Sequence, residues 1–144
     1  MRLSEEESAT RLVAADHGIF ATRHSDRGVD AVPVVFAVVG GALGIPVDTV
    51  KPKASTTLQR QRNLAEDPRA TLLVEHWSPD DWSALWWVRA QLRWEPEPAA
   101  ALTEALADAL AQRYAAYADR PFATVLVLRI VDVTGWSAHP STPS

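Results

Sequence analysis

The sequence predicts an α+β fold that is mainly β, with a six-stranded antiparallel barrel and flanking helices. Short segments rich in Val, Ile and Phe recur along the chain, and turn signals such as Gly40-Gly41 separate them. Most are not separated by long helices, as they would be in a doubly wound sheet. The 144 residues fit one domain, which we place at 1–136, and the Pro- and Ser-rich residues 137–144 are expected to form a flexible tail.

The N-terminal part is predicted to be a helix followed by a three-stranded meander. Ser4 and Glu7 have the spacing of a capping box, so the helix is expected over 5–16. Hairpin signals at 25–28 and at Gly40-Gly41 then separate short β-type segments. These strands are expected at 19–24, 31–39 and 42–47.

The remaining chain is predicted to alternate helices and strands. The helix over 56–67 ends before Pro68, because the residue preceding a proline avoids the helical region. In the strand over 82–95 the even positions from Trp82 to Trp94 are all apolar, which directs that face into a core. The other elements are a strand at 70–77, a helix at 99–117 and a central strand at 124–133.

One segment of this acidic chain is basic. Residues 51–69 hold five Lys or Arg against two carboxylates, a local charge of +3 in a protein of formal charge −4. Lys51 and Lys53 precede Ser55 and Thr56 at a predicted helix start, where free N–H groups and the helix dipole favour anions. The segment therefore predicts a site for a multiply charged anion; the alternative is a solvated basic helix face.

Composition argues against several other kinds of site. The chain has no cysteine, which excludes thiol catalysis and cysteine-bound metals. Its four histidines show no metal-ligand spacing and no nucleophile elbow is present, so neither a metal site nor a catalytic residue is predicted. The net negative charge argues against a nucleic-acid binder. Without a signal-like or membrane-spanning apolar run, a cytoplasmic protein with no membrane contact is expected.

Trp87 and Arg89 stand out on the polar face of the strand at 82–95. An exposed aromatic ring beside a cation is expected to meet either a second subunit or a flat ligand. We favour the second subunit.

These features resemble the pyridoxamine 5'-phosphate oxidase-like split β-barrel family over about residues 5–136. The resemblance is carried by the sequence RNLAEDPRA at 62–70, by KPK at 51–53 with the following STT, and by DWSALWWVR at 81–89. The last two runs look like a branch assigned to the deazaflavin coenzyme F420. The resemblance implies a homodimeric split barrel with a cofactor in the groove between two subunits.

The resemblance also implies roles for individual residues. Arg60 falls where flavin-binding relatives keep a phosphate-binding lysine, whereas Pro33 and Val38 fall where FMN-binding relatives carry an arginine and a lysine. This departure favours F420 over FMN. The cofactor-binding residues expected on this basis are Lys51, Lys53, Ser55, Thr56, Arg60 and Asn63 for the anionic part, Pro33, Val34 and Val35 for the ring, and Trp87 and Arg89 near the site or the dimer seam.

The predicted function is hydride transfer between F420 and a small organic substrate. Such a protein needs mainly to position the cofactor and exclude water, which agrees with the lack of acid–base motifs. Two alternatives remain: an FMN-dependent oxidoreductase of the same fold, or a non-catalytic carrier or sensor of a flavin, deazaflavin or haem.

Overall fold

The computed structural model describes residues 1–48, 55–119 and 122–139. Within these residues the α-helices are α1 (Glu5–Ala14), α2 (Ser55–Glu66) and α3 (Ala100–Arg113). The strands are β1 (Gly18–His24), β2 (Gly28–Val34), β3 (Ala37–Val39), β4 (Ala42–Asp48), β5 (Arg69–His76), β6 (Trp86–Trp94) and β7 (Phe122–Ser137). They form one antiparallel sheet in the order β2-β1-β5-β6-β7-β4-β3, which confirms the mainly β, α+β prediction.

The sheet curls so that strands from opposite sides of its order share one core. Phe20 of β1 and Leu43 of β4 belong to the same cluster of fully buried side chains. Leu12 of α1 and Leu64 of α2 enter this cluster as well, because each lies on the apolar stripe of its helix. The core therefore fixes both helices against the inner face of the sheet.

The sequence prediction of six strands is wrong, because the predicted strand at 31–39 is two strands. β2 pairs with β1 and β3 pairs with β4, which lie on opposite sides of the sheet order. Val35 and Phe36 make the crossing between them, where the Phe36 ring is fully buried and its carbonyl accepts a hydrogen bond from the Tyr114 hydroxyl at 3.0 Å. A buried crossing with its own hydrogen bond cannot be distinguished from a continuous strand by apolar content alone.

The expected core position of Trp82 is also wrong. The Asp81 side chain accepts a hydrogen bond from the Ser83 backbone N–H and begins a short 3₁₀ helix at Trp82–Ala84, so Trp82 remains 69% exposed. The alternation predicted for this segment holds only within β6, where Val88, Ala90 and Leu92 are buried.

Several element ends differ from the predicted ones. Tyr114 ends α3 before a 3₁₀ turn at Ala115–Tyr117, and its hydroxyl also bonds to the Asp16 carbonyl at 2.7 Å. Ser137 belongs to β7 rather than to a flexible tail: it pairs with Trp86 and is buried. Ala138 and His139 follow as a bend, with the Ala138 N–H donating to the Leu85 carbonyl at 2.9 Å, and the last part of the predicted tail, 140–144, lies outside the described residues.

β7 is buried on both faces from Val125 to Leu128, as its apolar composition predicts for a central strand. Leu126 and Leu128 face the main core, while Val125 and Val127 lie against Leu106 and the rest of α3 in a second cluster. No helix in the described ranges is long and apolar enough to cross a membrane.

We expect Gly44→Ala to destabilise the protein by about 1–3 kcal/mol, the usual cost of overpacking a core. A Cβ at Gly44 would lie 2.8 Å from Val125 Cγ1 and 3.1 Å from the Leu106 side chain. Gly41→Ala is the matched control, because nothing lies within 4 Å of a Cβ there. Urea unfolding would measure both variants, and equal effects would contradict this packing of α3 on β4.

Candidate functional site

A cavity of about 370 Å³ lies between the edge strand β2 and the helix α2. β2 forms one wall through Asp30, Ala31 and Val32, and the hairpin before it adds Arg27. α2 forms the other wall through Gln59, Arg60 and Arg62. The cavity therefore has three guanidinium groups and one carboxylate in its lining.

The buried side chain of Asn63 holds α2 against the sheet. Its amide nitrogen donates to Thr22 Oγ1 on β1 and to Asp30 Oδ2 on β2, both at 3.0 Å, and its oxygen accepts from Gln59 Nε2 at 2.8 Å. Asn63 is only 3% exposed and its bond to Thr22 is buried, while the bonds to Asp30 and Gln59 are partly buried. Together they specify one position for the helix.

The same network fixes two of the cavity arginines. Arg27 bonds to both carboxylate oxygens of Asp30 through Nη2, at 2.9 and 3.1 Å, and Arg62 Nη2 donates to Gln59 Oε1 at 2.9 Å. The hydrogen bond from Asn63, followed by that from Arg27, lowers the pKa of Asp30 below its usual value. Asp30 is thus a structural carboxylate that orients cations rather than a free acid.

Arg60 differs from the other polar residues of the cavity. Its Nε is buried and has no hydrogen-bond partner among the described residues. Burial also lowers the pKa of the Arg60 guanidinium, because the charged form loses hydration. An unpaired buried donor of this kind costs roughly 1–3 kcal/mol, and an anion in the cavity would relieve that cost.

The structure brings together two of the residues expected at the site and separates the others. Arg60 and Asn63 lie on α2 within one turn of each other, Arg60 lining the cavity and Asn63 positioning its walls. Lys51 and Lys53 lie outside the described residues. Ser55 and Thr56 are the first residues of α2, and the structure describes their backbone only.

The residues expected to line the cofactor ring are not among the described residues that line this cavity. Val34 is buried in the main core, Val35 belongs to the crossing to β3, and Pro33 is exposed on β2 one residue beyond the cavity wall. Val38 packs against the core.

Trp87 and Arg89 lie on β6, three strands from β2 in the sheet order. At about 4.8 Å per strand they are roughly 14 Å away across the sheet. The Arg89 guanidinium lies 5.1 Å from the Trp87 ring centroid, a cation–π pair. Within one chain the two residues are therefore separate from the Arg60 cavity.

Sequence reasoning missed Arg27, Asp30 and Gln59. The usable signal was the hairpin itself: its turn sets the register that places Asp30 opposite Thr22, and Asn63 bonds to both. The described residues contain no group of three or more potential metal ligands.

No family model and no curated protein matches the sequence. Solved structures with a similar fold include a FAD-binding protein from Mesorhizobium loti, with 19% identity and a TM-score of 0.70 over 94% of this chain and 93% of that one. A heme-binding protein from Mycobacterium smegmatis has 22% identity and a TM-score of 0.68 over 96% of this chain, which spans 60% of that protein.

A third similar structure is a candidate pyridoxamine 5'-phosphate oxidase from Corynebacterium glutamicum, with 20% identity and a TM-score of 0.57 over 95% and 98% of the two chains. At these identities the likeness defines the fold. The chain has the mainly β architecture of flavin- and haem-binding and pyridoxamine 5'-phosphate oxidase-like split-barrel proteins.

Asn63→Leu should raise the pKa of Asp30, because it removes the hydrogen bond that lowers it most. In the native protein the ionised Asp30 stabilises the fold above the ordinary carboxylate pKa of about 3.9, and this contribution disappears as the pH falls through the lower folded pKa. The variant should show a smaller loss of stability in that acidic range.

NMR titration of the carboxyl carbons would measure this shift. Asp81 is an internal control, since its pKa is lowered mainly by hydrogen bonds from Ser83. An unchanged Asp30 pKa in Asn63→Leu would contradict the network.

Proposed function

We propose that this protein is an oxidoreductase that binds coenzyme F420 and transfers hydride between it and a small organic substrate. The single observation that carries the proposal is the buried Nε of Arg60, which has no hydrogen-bond partner among the described residues and lies in a cavity with Arg27 and Arg62. The fold's likeness to flavin-binding split-barrel proteins makes a phosphate-bearing redox cofactor the natural anion for that cavity.

The cavity is suited to an anion because two of its three cations, Arg27 and Arg62, are held by hydrogen bonds before the ligand arrives. Asn63 and Asp30 hold the two walls, so little side-chain freedom is lost on binding. A charge-assisted hydrogen bond to Arg60 would contribute about 1.5–3 kcal/mol. The planar guanidinium can also bind a phosphate through two parallel bonds.

F420 is favoured over FMN by the distribution of charge. Pro33 and Val38 supply no cation at the two positions where the resemblance implies an arginine and a lysine for the FMN phosphate. Arg60 and Arg62 instead follow Lys51 and Lys53 in one basic segment, which suits the phosphodiester and glutamate tail of F420. The compactness of the Arg60 cavity favours FMN as the second candidate, because three guanidiniums around one space also suit a single phosphate.

The redox chemistry would come from the cofactor, which supplies or accepts the hydride. The chain's own residues would bind the anionic groups and hold the ring beside the substrate. No acid–base residue is required for these tasks, and we assign none.

A homodimer completes the proposal. The face of the sheet that carries Ile19, Leu73, Trp87 and Trp136 is exposed or half-buried in one chain, with Ile19 39% exposed. A second subunit covering this face would bury the aromatic rings and bring Trp87 and Arg89 near the other chain's cofactor groove.

Arg60→Glu should weaken F420 and FMN binding by at least tenfold, because it removes a charge-assisted contact and adds repulsion. Arg2→Glu is the control, since Arg2 is exposed and does not line the Arg60 cavity. Fluorescence or calorimetric titration of the apo-protein would measure both. If Arg60→Glu bound both cofactors as tightly as the wild type does, the assignment of the Arg60 cavity as the cofactor site would be contradicted.

The same titrations separate the candidate functions. The wild-type protein should bind F420 at least tenfold more tightly than FMN, a difference of about 1.4 kcal/mol. Equal or reversed affinities would favour the FMN-dependent enzyme. Tight binding of F420 without any hydride transfer to a panel of organic acceptors would favour a carrier.

Trp87→Ala should loosen the proposed dimer, because truncating a large aromatic ring removes apolar contact area from the centre of the interface. Sedimentation velocity at micromolar concentration would measure the effect. A wild-type protein that sediments as a monomer would contradict the proposed dimer and the cofactor groove between its subunits.

A further inference from the structure

Four arginines form a row across the face of the sheet that carries Trp87. Arg69 of β5 lies directly opposite Arg93 of β6, and Arg93 lies directly opposite Arg129 of β7. Arg23 of β1 extends the row next to Arg69, because the two side chains share Asp67 as an ion-pair partner. With strands about 4.8 Å apart, the row spans roughly 14 Å.

Nearby carboxylates neutralise only part of this charge. Arg69 binds Asp67 at 2.7 and 3.0 Å, and Arg23 reaches the same carboxylate at 3.8 Å. Arg129 Nε lies 3.5 Å from Glu95, whereas Arg93 has no ion-pair partner among the described residues. The row and these two carboxylates therefore carry a net charge of two positive.

Like charges placed directly opposite on neighbouring strands are destabilising. Here the arrangement occurs twice in succession, at Arg69–Arg93 and Arg93–Arg129. Residues one step along the same face do not offset it fully: Thr71 and Gln91 are neutral, and Asp132 is the one carboxylate opposite Gln91. An external anion would remove this repulsion.

A cavity of about 270 Å³ lies at one end of the row. Arg23 and Arg69 line it together with Asp67, the carboxylate that both arginines share. Thr71 and Gln91 add polar groups that hydrogen bond to each other at 3.2 Å, and Ala21 and Val29 are among its apolar residues. Its volume is at the small end for ligand pockets, which suits an anionic headgroup rather than a ring cofactor. It shares no lining residue with the Arg60 cavity.

We propose that this arginine row is a second anion site, which binds a small ligand with at least two anionic groups, such as a di- or tricarboxylate or a polyphosphate. One group occupies the cavity beside Arg23 and Arg69, and another extends along the sheet to Arg93. The ligand class follows from the net charge of the row and from its length, which exceeds the reach of a single carboxylate.

The row also constrains any self-association through this face. Two copies of the row brought together would repel each other, so a self-contact that places one row against the other is disfavoured.

Isothermal titration of the full-length protein with citrate and with tripolyphosphate tests the proposal, the two probes separating carboxylate from phosphate recognition. Arg93→Gln should weaken binding of the preferred probe about tenfold, as expected for one charge-assisted contact, while F420 and FMN affinities stay unchanged. Arg2→Gln is the matched control and should bind like the wild type. Sedimentation of Arg93→Gln should match the wild type.

Three results would overturn the proposal. One is the absence of binding of either probe at millimolar concentration in low salt. Another is binding that Arg60→Gln abolishes and Arg93→Gln leaves intact, which would assign the anion to the cofactor cavity. The third is binding of polyglutamate peptides without binding of the small probes, which would assign the row to an acidic protein partner.

Discussion

The buried amide of Asn63 is the interaction on which the candidate site depends. It joins α2 to β1 and β2 through Thr22 and Asp30, and the bond to Thr22 is buried from water. Apolar packing of Leu64 attaches the helix to the core but would tolerate small rotations. The directional bonds of Asn63 remove that freedom, and they place Arg60 beside β2, where its Nε has no hydrogen-bond partner in the part of the chain that the structure describes.

The two candidate anion sites are locally positive although the chain as a whole carries a negative charge. The chain is acidic, yet cations predominate around the Arg60 cavity and along the arginine row. In both places the local carboxylates, Asp30 and Asp67, are bound to arginines and have lowered pKa values, so they orient cations at neutral pH. Fixed cations in partly enclosed cavities bind anions more strongly than mobile surface lysines do, because less side-chain entropy is lost.

Much of the fold could be predicted from the sequence. The capping box at Ser4, the turn at Gly40-Gly41 and the alternation within β6 each depend on local chemistry, and each element appears in the structure. The crossing at Val35–Phe36 could not be predicted, because it depends on a hydrogen bond from Tyr114, which lies 78 positions from Phe36 in the chain. Trp82 was misplaced because a single Asp81 cap outweighed an apolar alternation that continued into the loop.

Only the part of the site that lies on α2 could be predicted from the sequence. The charge of α2 is visible in the sequence, and Arg60 and Asn63 are both expected at the site from it and from the resemblance. Arg27 and Asp30 reach the cavity through a hairpin register that only the folded sheet defines. Long-range pairing also decides which residues do not meet: Val34 turns into the core, and Trp87 lies three strands away.

The central claim is that the Arg60 Nε–H, which has no partner within residues 1–48, 55–119 and 122–139, donates a hydrogen bond to the anionic group of the cofactor. The most direct measurement is the ¹H–¹⁵N NMR signal of the Arg60 Nε–H group, assigned by comparison with Arg60→Lys, during titration with F420. A new hydrogen bond to a phosphate oxygen should move this signal downfield in proportion to occupancy and slow its exchange with water. Saturation of the protein with F420 while the Arg60 signal stays unmoved would contradict the account.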